Sequence, residues 1–163
     1  MSEYRYVAEG FEDAVQHFEE LKPEAEVKLQ FAIPEKDFNT AGKGSFELKN
    51  MLKRLGVDSV VLRRIAVASY EAEINVAAHS KGGIMYSTVY ENLIHVCFED
   101  QGPGIADIEQ AMTPGFSTAD DLVRELGFGA GLGLPNIKKN SDAMSLVSAA
   151  GSSTKLEFLI YFA

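Results

Sequence analysis

Glu71, Asn75 and His79 recur four residues apart. On a helix, at about 100° per residue, each step drifts by only about 40°, so the three side chains project along one stripe. Val61, Ile65, Ala68 and Ala72 fall in or beside the same sector, so this stripe is not on a fully wet face. A carboxylate buried without partners is costly. The stripe therefore reads as the lining of a polar cleft in which something binds. Taken alone, Glu-x-x-x-Asn is a short pattern and equally fits two polar side chains bonding their neighbours on a partly solvated surface.

Two further stretches could take part in chemistry. The apolar run Val96-Cys97-Phe98 leads through Glu99 and Asp100 into Gln101-Gly102-Pro103-Gly104-Ile105. An aspartate at a strand end, beside glycines without side chains, can accept a hydrogen bond from a planar ring lying against the backbone, and the exocyclic amine of adenine meets that demand. The plainer account is a turn, since Asp, Gly and Pro are common turn formers. Gly127-Phe128-Gly129-Ala130-Gly131-Leu132-Gly133-Leu134 places four glycines at alternate positions before a helix start. Such a backbone reaches positive φ and approaches a ligand closely. The helix start offers unpaired N–H groups to a phosphate chain. The run also fits a flexible linker. No Gly-Lys-Ser/Thr closes it and no βαβ unit carries it, which argues against the other common phosphate loops.

These residues need a framework, and the pattern along the chain supplies one. A short strand is expected near Tyr4 to Ala8. A helix should follow, with Phe11, Ala14, Val15, Phe18 and Leu21 at helical spacing until Pro23-Glu24 breaks it. Val27 to Ile33 alternates as a strand, and Pro34 ends it. Asn39 to Leu55 reads as a helix closed at Gly56. The helix carrying Glu71 starts at Asp58 or Ser59 and runs to about Ser80. Strands Ile84 to Tyr90 and Leu93 to Asp100 are joined by Glu91-Asn92. Short helical pieces are expected near Ile105 to Met112 and Ala119 to Glu125, and a helix begins near Leu134-Pro135. A last hairpin pairs Met144 to Ala149 with Lys155 to Tyr161. The whole predicts an α+β two-layer sandwich: a mostly antiparallel mixed sheet with helices on one face.

Composition sets outer bounds. A chain of 163 residues with 46% apolar residues can bury its own core as one domain with an appendage, divided at 28: an N-terminal extension 1–28 and a main domain 29–163. The single cysteine, Cys97, sits in an apolar stretch and reads as a buried thiol in a reducing compartment. No cysteine–histidine cluster suggests zinc. The N-terminus lacks a basic region followed by an apolar run, and no apolar stretch approaches the ~20 residues that span a bilayer, so a cytoplasmic protein without membrane contact is expected. The formal charge of −9 disfavours nucleic acid, whose backbone calls for a basic face. An anionic nucleotide remains compatible if backbone N–H groups and a cation hold it.

Read in order, the stretches are more telling than any one alone. Glu71-x-x-x-Asn75-x-x-x-His79 precedes Glu99-Asp100-Gln101-Gly102-Pro103-Gly104-Ile105. Then come Gly115-Phe116-Ser117-Thr118, Gly129-Ala130-Gly131-Leu132-Gly133-Leu134-Pro135, and Gly151-Ser152-Ser153-Thr154 before the last strand. This resembles the N, G1, G2 and final glycine–threonine boxes of the GHKL (Bergerat-fold) ATPases, over about residues 28 to 162. Asp100 to Lys139 is most similar to the bacterial anti-sigma-factor and switch serine/threonine kinases. The resemblance implies that Glu71 is the general base and that Asn75 holds Mg²⁺ through its carbonyl oxygen. It implies that Asp100 reads the adenine amine, with Gly102, Gly104 and Ile105 under the ring and Thr154 in support. Ser117, Thr118 and the run Gly129, Ala130, Gly131, Leu132, Gly133 and Leu134 would form the lid and cradle the phosphates. His79 matches the family's N-box histidine without a fixed role.

The loop Ala119 to Gly127 is longer than in compact switch kinases, and residues 1–28 have no counterpart there. His17 in the N-terminal helix resembles a histidine-kinase phosphoacceptor only faintly, and one short helix supplies no four-helix dimerisation bundle. The resemblance implies an ATP- and Mg²⁺-dependent protein kinase acting on a small regulatory partner of the anti-sigma-antagonist or sigma-factor type. The alternative is a non-catalytic, ATP-gated module that sequesters such a partner. Motor ATPases need further domains. A homodimer is compatible with either reading.

Overall fold

The computed structural model describes residues 2–105, 107–113 and 133–163. In chain order these form β1 (Ser2–Val7), α1 (Glu12–Leu21), β2 (Val27–Ile33), α2 (Lys43–Arg54), α3 (Ser59–His79), β3 (Gly83–Val89) and β4 (Leu93–Asp100). A single turn α4 (Ile108–Ala111) follows, then α5 (Gly133–Asn140), β5 (Ala143–Ser148) and β6 (Lys155–Tyr161). The helical piece expected at Ala119 to Glu125 lies outside the described residues.

The six strands make one sheet in the order β1-β5-β6-β4-β3-β2, and each neighbouring pair is antiparallel rather than mixed. Position in that order explains the strand sequences. β4 lies inside the sheet and buries Leu93, Ile94, Val96, Cys97 and Phe98, so its apolar residues run almost unbroken. β2 lies at an edge and alternates: Val27, Leu29, Phe31 and Ile33 pack inward while Lys28, Gln30 and Ala32 are exposed.

The main core fills one face of the sheet. Met85, Val96, Phe98, Leu146, Phe158 and Ile160 meet Leu48 and Leu52 of α2, Ile65, Ala68, Ala72 and Val76 of α3, and Ile137 of α5. α3 lies in the middle of this helical layer, packed against both α2 and α5, which is why its residues are apolar on most sides. α1 sits on the other face. Its Val15, Phe11 and Phe18 cover Leu93, Ala143, Leu159 and Tyr161, with the Phe18 ring edge-on to Tyr90 at 5.0 Å. The expected sandwich thus stands, with a helix added on the second face. β1 pairs with β5 from Ser2↔Ser148 to Val7↔Ala143, and residue 28, where the sequence divides the chain, lies within β2.

Local signals set the helix ends. Asp58 caps α3 by accepting from the backbone N–H groups of Val60 (3.0 Å) and Val61 (3.4 Å). α2 starts at Lys43, later than the spacing predicts, because Asp37 Oδ1 draws the N–H groups of Asn39 and Thr40 into a turn and Gly42 takes a left-handed φ of 98°.

Candidate functional site

Glu71, Asn75 and His79 are half-buried along α3, while Glu73 is turned inward and is only 2% exposed. Two residues apart on a helix point to roughly opposite sides. The four-residue spacing thus selects Glu71, not Glu73, for the side that bears Asn75. Glu73 has another task. Its Oε2 accepts from Gly42 N (2.8 Å) and Gly44 N (3.2 Å), and its Oε1 accepts from Ser45 N (3.0 Å) and Ser45 Oγ (2.7 Å). It therefore satisfies the open N-terminus of α2 from a neighbouring helix.

The C-terminal end of α3 is bonded to the acidic-glycine turn. Lys81 N donates to Gly102 O at 3.2 Å and Gln101 N to Gly82 O at 3.1 Å, which sets the turn beside the helix end that carries His79. Asp100 closes β4. Its Oδ1 accepts from the N–H groups of Gly102 (2.9 Å) and Thr154 (3.0 Å), and Oδ2 accepts no bond from the described residues. Burial raises the Asp100 pKa above its ordinary 3.8, and the two N–H bonds hold it partly back.

A chain of hydroxyls supports the turn from below. Ile105 N donates to Ser148 Oγ at 2.8 Å, and Ser148 Oγ lies 2.6 Å from Thr154 Oγ1. Ser148 is fully buried and was missed by sequence reasoning. Its only signal is a small polar residue at the inward position after Met144 and Leu146 in a strand. Gly104 shows why this turn needs glycine: at φ 81°, an added Cβ would stand 1.8 Å from Ala149 O. The turn is therefore flush against the β5–β6 hairpin, where Gly151 N donates to Pro103 O at 2.6 Å.

Gly133 opens α5 directly against Asn75. A Cβ there would meet both carboxamide heteroatoms of Asn75 at 3.0 Å. The Asn75 side chain thus stands beside the start of a helix, where backbone N–H groups are open to an anion. Leu134, next in α5, packs on the main core, as does Ile105. So Asn75 meets Gly133, and Asp100, Gly102, Gly104, Ile105 and Thr154 form a second group at the end of α3. Ser117, Thr118, Gly129, Ala130, Gly131 and Leu132 lie outside the described residues. Among the described residues no three His, Cys, Asp or Glu side chains cluster as metal ligands. The Asn75 carbonyl is an oxygen donor of the kind Mg²⁺ accepts.

The described residues thus place an amide beside the start of α5, and a strand-end carboxylate in the turn bonded to the end of α3. No family model matches the chain. It is 36% identical over 113 residues to the serine/threonine-protein kinase RsbT of Bacillus subtilis (strain 168), an alignment spanning 67% of this chain and 79% of that protein. The fold is shared with a chain in the crystal structure of the SiaB-SiaC complex from Pseudomonas aeruginosa, at a TM-score of 0.58 and 14% identity, over 91% of this chain and 97% of that one. The likeness to RsbT makes this sandwich one of the GHKL (Bergerat) type. The chain belongs to the GHKL branch of small bacterial regulatory serine/threonine kinases that contains RsbT. No helix among the described residues is long and apolar enough to cross a membrane.

Proposed function

We propose that this protein is an ATP-dependent serine/threonine kinase that phosphorylates a small regulatory protein of the anti-sigma-antagonist type in the cytoplasm. The observation that carries this reading is the pairing of Asn75 with the start of α5, one helical turn from Glu71 on the same face of α3. A phosphate chain at that helix start would lie within reach of both side chains. Its purine would extend toward Asp100, whose Oδ2 accepts the exocyclic amine while Oδ1 stays bonded to Gly102 and Thr154. The backbone at Gly102 and Gly104 forms the flat seat for the ring.

Glu71 takes the proton of the partner's serine or threonine hydroxyl as that oxygen bonds to the γ-phosphorus. The bond from the γ-phosphorus to the β–γ bridging oxygen breaks, and ADP departs with that electron pair. Asn75 would hold Mg²⁺ through its carbonyl oxygen, and that ion would supply neutralisation of charge on the phosphate oxygens. Residues 1–28 are read as an extension that braces the sheet from its edge and second face.

Calorimetry with Mg·ATP and transfer of labelled phosphate test the reading together. Glu71→Gln should retain nucleotide affinity within about threefold and lose transfer by two orders of magnitude or more, roughly 3 kcal/mol in the barrier. Transfer that survives Glu71→Gln would remove the base from the mechanism. Absence of Mg·ATP binding by the unmodified protein would remove the function.

A further inference from the structure

A groove of about 460 Å³ runs between α2 and α3, away from the turn of Asp100 and lined by Ser45, Phe46, Lys49, Val67, Tyr70 and Glu71. Two large aromatic side chains stand open on it, Phe46 at 64% exposure and Tyr70 at 41%. An exposed phenylalanine beside an exposed tyrosine marks a surface that gains from being covered. The groove also has a direction. Along α2, Lys53 follows Phe46 and Lys49 at helical spacing. Along α3, Arg63 precedes Val67 and Tyr70 in the same way, and both basic residues are exposed. The helices are consecutive and packed together, so one end of the groove is at Glu71 and the other at Lys49 and Ala66, with Lys53 and Arg63 about one helical turn beyond it.

Charge sets this surface apart. The chain carries −9 overall, yet between residues 43 and 63 the charged side chains are Lys43, Lys49, Lys53, Arg54 and Arg63 against only Glu47 and Asp58. An aromatic groove with Lys49 on its wall and further basic side chains beyond it attracts an acidic segment of a partner. Because Glu71 belongs to its wall, whatever lies in the groove has one end at the proton acceptor.

We propose that the α2–α3 groove is the docking site of the protein substrate, and that it takes an acidic segment with an apolar anchor placed so that a serine or threonine reaches Glu71. The anchor covers Phe46 and Tyr70, and the acidic residues face Lys49, Lys53 and Arg63. Glu73 holds the groove's walls in place, since its four hydrogen bonds join α3 to the start of α2 at the Glu71 end. This inference rests on the kinase reading for the role of Glu71, but the docking itself can be measured without transfer.

The probe is a pair of short fluorescent serine peptides with the same leucine and phenylalanine anchors, one flanked by Asp and Glu, the other by Lys and Arg. Each is titrated into the full chain with Mg·ADP present, and binding is read by anisotropy. The acidic peptide should bind at least tenfold tighter, and raising the salt should weaken it. The double reversal K49E/K53E should weaken it by roughly tenfold or more, and Phe46→Ser by a similar factor. All three positions are exposed, and unchanged Mg·ADP affinity in the same variants confirms that they remain folded. Equal binding of the two peptides, or indifference to K49E/K53E, overturns the proposal. So does a dimer that Phe46→Asp dissociates, which would assign the groove to a second copy. Loss of Mg·ADP binding by the unmodified protein would instead defeat the nucleotide reading, so the two failures are distinguishable.

Discussion

At the scale of single residues the site turns on Asp100. Its Oδ1 is held by two backbone N–H groups, so Asp100→Asn can keep those bonds through its own carbonyl while presenting an NH₂ where the carboxylate offered an acceptor. On the proposed reading, two donors then face each other, the introduced side-chain amide and the purine amine. Nucleotide affinity should fall by about 2 kcal/mol, roughly thirtyfold in Kd, with little change in melting temperature. Acid should act in the same direction. Burial raises the Asp100 pKa above 3.8; if its ionised form is the acceptor of the amine, as proposed, affinity should fall as pH drops through the raised value. The stability term has the opposite sign. The folded state disfavours the charge, so this residue's contribution declines as pH rises from 3.8 through the folded value. Calorimetric titrations across pH 4 to 7, compared with Asp100→Asn, separate the two effects. Gly104→Ala should be far more damaging to the fold, by about 3 kcal/mol or more in denaturant melts, because its Cβ would overlap Ala149 O at a left-handed φ. Asp100, Gly102 and Gly104 were legible in the sequence because their demand is local: a strand end, then two positions that need positive φ. Ser148 was not, because its hydroxyl matters only once β5 brings it to Thr154 and Ile105.

Between elements, the join of α2 and α3 depends on Glu73. Glu73→Ala leaves four donors at the start of α2 without their acceptor, three of them on Gly44 and Ser45 in buried surroundings. A loss of about 3 kcal/mol is expected, against about 1 for Ser45→Ala, which removes one donor along with its partner's bond. Urea unfolding of the two variants checks the ratio. Equal losses would mean that the carboxylate contributes no more than one hydroxyl bond. Apolar spacing drew α3 and its Asp58 cap correctly, since both signals lie inside the helix itself. It extended α2 back to Asn39, because nothing local announces that a carboxylate thirty residues on will cap a helix at Gly42. The acidic residue with the strongest structural role was therefore the one passed over. Glu71 stood out by matching Asn75, whereas Glu73 matches nothing nearby in sequence.

For the molecule as a whole, the sheet order makes the first and second faces unequal. Among the described elements, the broad helical layer covers one, and α1 closes part of the other over Leu93, Leu159 and Tyr161. Val15 is 2% exposed at the centre of that contact, whereas its neighbour Ala14 faces water. Val15→Asp should cost about 3 kcal/mol by placing an unpaired charge against the sheet, and Ala14→Asp within about 0.5. Similar losses at both positions in thermal melts would mean that α1 does not dock through this face. The arrangement was half readable. Helical spacing marked Phe11, Val15 and Phe18 as one apolar stripe, but a stripe does not say which side of a sheet it covers. Only the pairing of β1 with β5 delivers α1 to the second face.

Cys97 gives this architecture a built-in clock. It lies on the interior strand β4, 5% exposed, with its thiol pushed up to about 12 by burial. At neutral pH the native chain offers an alkylating reagent almost no thiolate, so modification must wait for the sheet to part. Labelling should therefore be slow and unimolecular, indifferent to reagent concentration once reagent is plentiful. Saturating Mg·ADP should retard it by the factor that nucleotide binding adds to the folding equilibrium. A label that appears within seconds, at a rate proportional to reagent, would mean that β4 breathes on its own.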